Sequence, residues 1–388
     1  MRKTSLLLVI AFILGAAGAA RAQLVRTTPV HAGSPEEKAL EDISAATDPA
    51  QKLALIDKFT TDFGQGDMAV MANELYVSYY ADAKNYAKMA EYAQKVLAVD
   101  SDNFNATIHL ARAEAELGNI GPLFDAGDKL TAIIVRYKAQ TAPADTPPEI
   151  WKPNHDQALA DQHDQIEYVH TLLANAVFRS QSPAEQAAFG ERFAATFSDS
   201  PYAASCDALA AGAYQQLQNF PKMIAAGEKV LSMDPNNTDT LLLLADYYSD
   251  RGLELDKADA FAKKAIALLP AAKKPEGVSD EDWQKRINFQ TGLAWSAEGQ
   301  ILINRSNLEG AASAFQKASP LLKSNTVYYA RNLYRLGFTY ARLKKVPEAT
   351  AALNEVISLN TPPFKALAQQ TLQQLNGTPA PAKRTSHE

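Results

Sequence analysis

The chain has 388 residues, 47% of them apolar and 21% charged, which is the make-up of a globular protein and excludes fibrous or low-complexity classes. Its formal net charge of −6 repels nucleic acid and anionic lipid, so neither is a sensible partner. The one cysteine, Cys206, sits in an alanine-rich stretch, so no internal disulfide is expected and stability must come from packing.

The first element reads as a targeting signal. Arg2 and Lys3 precede an apolar run from Leu6 to Ala20, and Ala20-Arg21-Ala22 forms the small-x-small pattern of a secretory cleavage site. The run is shorter than the roughly 20 residues of a membrane span. The expectation is a signal peptide over 1–22, cleaved after Ala22, and a periplasmic or secreted bacterial protein with no stable membrane insertion afterwards. Losing Arg2, Lys3 and Arg21 leaves 35 basic against 44 acidic residues, a net charge of −9.

A polar leader at 23–35 is expected to be flexible. Beyond it strand-like alternation is absent, and helical periodicity runs over 36–376. Helices are predicted at 36–46, 49–63, 68–82, 85–99, 104–117 and 121–138. After an insertion near 139–155 they resume at 156–179, 183–197, 202–217, 220–233, 238–251 and 257–269. A second insertion near 271–288 overlaps the start of the next group, at 280–304, 308–321, 326–342, 346–359 and 364–375. Residues 377–388 carry Pro, Ala and Lys and are expected to be a disordered tail.

The pattern is clearest from Val327 to Pro362. Leu333, Leu336, Gly337 and Tyr340 share one helical face, and Val346, Ala349, Leu353, Val356 and Ile357 share another. Neither helix can hide its stripe alone, so the pair must stack on copies of itself. Two repetitions support this. Pro201 and Pro235 lie 34 residues apart at successive pair ends. In addition, 48–118 superimposes on 182–252 without a gap, with 19 identities in 71 positions, among them Phe59/Phe193, Tyr80/Tyr214 and Gly118/Gly252. An internal duplication is the natural reading.

Helix pairs of this length resemble tetratricopeptide repeats. Leu336-Gly337 with Tyr340, and Trp295 with Gly299, match that family's first helix; Tyr80, Tyr214 and Tyr248 take its tyrosine place. Ala311, Phe315 and Ala318 match its second helix, as do Ala258, Ala262 and Ala265 followed by Pro270. The resemblance covers roughly 48–375 and implies an all-α, right-handed superhelical solenoid of antiparallel helix pairs, about seven to eight repeats. It also implies that first helices line a concave groove that binds a protein or peptide. By that analogy the contact candidates are Arg331, Tyr334, Phe338 and Arg342, then Gln300 and Asn304 beside Ser296, then Asp246 and Asp250 beside Ser249.

Catalytic signatures are missing: there is no GxSxG, HExxH, GxGxxG or GxxxxGK[ST]. His163 and Glu167 are one helical turn apart, but a solvated helix face explains the polar cluster from His155 to His170 better than a metal site does. No catalytic residue, metal or cofactor is expected. Trp151 and Trp283 follow acidic helix starts, with Ser279 and Asp282 spaced as a capping box. They suit an aromatic plug, or, in an alternative reading, a carbohydrate-binding or enzymatic envelope protein using groove carboxylates. The leading expectation is a non-catalytic exported scaffold.

Overall fold

The computed structural model describes residues 24–377; the expected signal and, apart from Gly377, the expected tail lie outside them. The chain divides into two units. The first, Met1–Cys206, holds α1 (Pro35–Ala45), α2 (Pro49–Phe63), α3 (Ala69–Asp82), α4 (Tyr86–Val99), α5 (Phe104–Leu117), α6 (Ile120–Lys138), α7 (Pro148–Ala160), α8 (His163–Arg179) and α9 (Pro183–Thr196). The boundary falls inside α10 (Ala203–Gln216). The second unit, Asp207–Glu388, continues with α11 (Phe220–Met233), α12 (Thr238–Arg251), α13 (Leu255–Leu268), α14 (Asp280–Asn304), α15 (Leu308–Leu322), α16 (Thr326–Arg342), α17 (Val346–Leu359) and α18 (Phe364–Leu375). Among the described residues every regular element is helical, and none is long and apolar enough to cross a membrane.

Local chemistry sets the helix ends. Asp48, Asn85, Asn103, Ser182, Asn219, Asn237 and Ser279 each accept a hydrogen bond from a backbone N–H in the first turn, which satisfies one of the orphan donors there. Gly118 and Gly252 close α5 and α12 at φ 75° and 66°, a left-handed conformation that glycine adopts without strain. These devices recur: α3, α4 and α5 return as α10, α11 and α12 with both ends displaced by 134 residues.

Packing then builds each unit as a stack of antiparallel pairs. In the first unit α3 packs on α4 and α5 on α6, and α5 lies against both α3 and α8. In the second, α12, α14 and α16 pair with α13, α15 and α17, and α18 covers the last pair. The first helices α12, α14 and α16 also lie side by side. They form one layer, with the second helices as the other.

The pairs close where side chains are smallest. A Cβ on Gly299 would stand 2.6 Å from the Phe315 ring, and one on Gly337 would stand 2.8 Å from Leu353. Phe315 and Leu353 are both fully buried and cannot retreat.

Two expectations change. The helix predicted over 156–179 is two helices, α7 and α8, with a turn at Asp161 and Gln162. The cause is divergent burial: α7 seats Trp151 and His155 on Tyr137, whereas α8 buries Val169, Leu173 and Val177. One straight helix could not do both. The leader, expected to be loose, is seated on the first unit. Leu24 is buried and Arg26 pairs with Asp100 at 2.8 Å.

Several core positions of the second unit are polar, Glu298 among them. Glu298 of α14 is 8% exposed and hydrogen-bonds the carboxyl of Asp259 on α13, which also meets Lys263 at 2.9 Å and Arg305 at 3.1 Å. Burial, then the charge of Asp259, pushes the Glu298 carboxyl up. Burial also pushes Asp259 up, but its bonds from Lys263, Arg305 and Glu298 hold it below the usual range.

Two outcomes follow from this packing. Gly299→Ala gains about 1 kcal/mol of helix propensity but overpacks Phe315, for a net loss of about 1–2 kcal/mol in urea unfolding. Gly212→Ala in α10, where a Cβ meets nothing within 4 Å, gains about 0.5–1 kcal/mol. Equal effects at the two sites would refute the close-approach argument. For Glu298 the raised value means that the folded state holds its proton more tightly than the unfolded chain. That stability is present below the ordinary glutamate range and is lost as pH rises through the folded value. Glu298→Gln should therefore gain on the parent as pH rises, and a difference that stays flat with pH would contradict the assignment.

Candidate functional site

The inner face of the second unit is formed by α12, α14 and α16. Two pairs of charges one helical turn apart, Asp246 and Asp250 on α12 and Arg331 and Arg335 on α16, point across α14 at each other. Arg331 donates to both oxygens of Asp246 at 2.7 and 3.0 Å and stands 3.5 Å from Asp250. Arg335 donates to Asp250 and, at 3.3 Å, to Ser296 Oγ on α14. The crossing is possible because Ser296 is small and 1% exposed, which leaves room above α14 for two guanidinium forks. Only arginine combines that reach with a two-pronged donor. Asn304, at the end of α14, donates to the Ser249 carbonyl at 2.7 Å and ties the same helices lower down.

Electrostatics follows the geometry. Burial pushes the Asp246 carboxyl up, but Arg331 and Arg335 outweigh it and hold the group below the usual carboxylate range. At Asp250 burial prevails and the carboxyl is pushed up. Burial, then the neighbouring Arg331, lowers Arg335.

A cleft of about 330 Å³ opens beside this network. Leu242 and Leu243 of α12, Phe289 and Leu293 of α14 and Tyr328 of α16 form its apolar walls. Phe289 and Tyr328 meet edge to face at 5.3 Å. On the rim Asp239 accepts from Arg286 at 3.0 Å and from the Gln290 amide.

The residues expected to meet a partner are thus distributed unequally. Arg331, Asp246 and Asp250 come together, but as an internal ion network instead of free charges. Arg335 belongs to it and was not anticipated; the matched i, i+4 spacing of two acids and two arginines is the signal that could have revealed it. Asn304 binds backbone, and Gln300 is half-buried on α14. Tyr334 leans on Phe364 of α18, centroids 6.3 Å apart, and on Phe338 at the same distance. Phe338 itself is 37% exposed, and Arg342 is exposed beside it.

The alternative site loses its aromatic platform. Trp151 is buried and stacks on His155 at 4.3 Å, which stacks on Tyr137 at 4.2 Å. It plugs the end of α6. Trp283 is half-buried beneath the Arg286 guanidinium at 5.9 Å. Among the described residues no three His, Cys, Asp or Glu side chains gather as a metal site.

No described protein family and no curated protein matches this chain. Several solved structures do. Yeast Tom70 is 11% identical with a TM-score of 0.34, over 88% of this chain and 95% of that one. The apo form of the quorum sensor NprR from B. thuringiensis is 11% identical with a TM-score of 0.33, over 90% and 82%. The TPR domain of P58(IPK) is 12% identical with a TM-score of 0.28, over 89% and 98%.

Arg331→Met strands the Asp246 carboxylate, at a cost of about 2–4 kcal/mol in chemical unfolding. Adding Asp246→Leu to the same chain should recover most of that loss. A single variant no weaker than the double would show that the pair is not formed.

Proposed function

We propose that the chain is an exported, non-catalytic scaffold of the tetratricopeptide-repeat type, which holds a segment of another protein on the inner face of its first helices. One observation carries the reading. The second helices cover one side of the first-helix layer, whereas the other side of α12, α14 and α16 leaves a cleft walled by Leu243, Phe289, Leu293 and Tyr328. Apolar surface held open between charged neighbours is what binding faces present. Export rests on the charged start, apolar run and Ala20-Arg21-Ala22 motif. The scaffold role rests on the missing catalytic signatures, and on carboxylates and arginines that pair with each other instead of converging on an open point.

A photo-crosslinking amino acid placed at Leu243 or Phe338 on the first-helix side, in cells of the native host, should capture the same protein from both positions. At Ser313 of α15 or Asn354 of α17, both exposed on second helices, it should not. Capture from the second helices alone, or from no position, would refute inner-face binding. The N-terminal sequence of the purified mature protein should begin at Gln23.

A further inference from the structure

The scaffold reading leaves open what the inner face recognises, and the charges beside the cleft bear on that directly. Its lining carries Asp239, Asp246 and Arg286, and each carboxylate is already matched by a base, Asp239 by Arg286 and Asp246 by Arg331 of the network behind the cleft. The network behind it adds Asp250 and Arg335, again one of each. A charged ligand group would therefore meet a rim with no net charge. The exposed Asp239–Arg286 pair offers a charged group only a solvent-screened contact, and at Asp246 a new ion pair would have to break the two-pronged Arg331–Asp246 bond, whose partners are mostly buried. That exchange strands one desolvated charge for each new pair made.

The apolar walls are only partly used inside the unit: Phe289, Leu293 and Tyr328 pack on the core, and Arg331 lies 5.0 Å from the Tyr328 ring. Leu243, Phe289, Leu293 and Tyr328 are all only half-buried, and the Phe289–Tyr328 edge-to-face pair forms one wall of a slot. Aromatic side chains prefer such offset and edge-on neighbours and bring a large apolar area with few rotamers. The volume, about 330 Å³, lies at the small end of ligand sites, which run from roughly 300 to 1,000 Å³. That is room for one or two side chains and too little for a whole helix.

We infer that the cleft between α12, α14 and α16 receives an uncharged aromatic side chain from an extended partner segment. The Asp/Arg network beside it shapes the slot and takes no part in charge recognition. This inference rests on the scaffold reading above and specifies its ligand: the anchor is phenylalanine-like, and neither an acidic nor a basic terminus is required.

The test uses the mature full chain with methyl-labelled leucine and four blocked amino acids as probes. These are N-acetyl-phenylalaninamide, N-acetyl-leucinamide, N-acetyl-lysinamide and N-acetyl-aspartate amide. The phenylalanine probe should shift the methyl signals of Leu242, Leu243 and Leu293 most and the leucine probe less, while the charged probes should leave them in place. Its apparent affinity should change less than about twofold between about 50 and 500 mM salt, over which the screening length shrinks about threefold. Leu243→Glu, at a half-buried wall position, should reduce that affinity about tenfold or more with the remaining methyl spectrum unchanged. If that variant does not fold, Tyr328→Ala serves the same purpose from the opposite wall.

Charged probes shifting these methyls with steep salt dependence would overturn the inference. So would a phenylalanine probe that shifts only leucines elsewhere. Cross-linking from Phe338 with an unresponsive cleft would leave inner-face binding standing and remove the aromatic anchor alone; loss of both would remove the scaffold reading too.

Discussion

The close approach of each first helix to its own second helix is the constraint on which the second unit depends. Gly299 against Phe315 and Gly337 against Leu353 leave no space for a methyl group, so a buried ring or leucine fills what would otherwise be a gap between helix backbones. That contact fixes the spacing within a pair. Repeated from pair to pair, it brings α12, α14 and α16 side by side, with the Asp/Arg network and the cleft on the face away from their second helices. Everything proposed about function happens on that face.

The inner face is then shaped by what its middle helix lacks. Ser296 is too small to fill the space above α14, and the arginines of α16 cross it to reach the acids of α12, 85 residues earlier in the chain. Three charges that look in the sequence like invitations to a partner, Asp246, Asp250 and Arg331, are satisfied together with Arg335. Their mutual neutralisation has two effects. It braces α12 against α16, and it removes net charge from the surface around the cleft, so that apolar walls dominate what a ligand would meet.

The helical architecture was readable because its causes are local. Cap residues such as Asp48 and Asn85, left-handed glycines at Gly118 and Gly252, and the small-residue positions of α16 and α17 each act within a few residues of where they are written. The turn at Asp161 was not readable, because it exists only to let Trp151 and Val169 bury in different directions. The ion network was invisible for a related reason. A residue pointing away from its own packing stripe has the same periodicity whether it faces water or a first helix two pairs away. Asp246 and Arg331 therefore read as free partner contacts, and their mutual pairing is visible only in the structure. The cleft was missed because nothing in the sequence distinguishes Leu243 and Leu293 from core leucines before the neighbouring helices are in place.

The crossing of α14 by the two arginines joins all of these steps, and nitrogen-15 NMR of the arginine side chains observes it most directly. A guanidinium gripped on two sides rotates slowly about its Cζ–Nε bond and shows separate Nη signals, whereas a solvated one shows a single averaged signal. The account predicts resolved Nη signals for Arg331 and Arg335 and an averaged signal for exposed Arg342. Averaged signals at Arg331 and Arg335 as well would mean that α16 does not reach α12. In that case the neutral inner face described above does not exist.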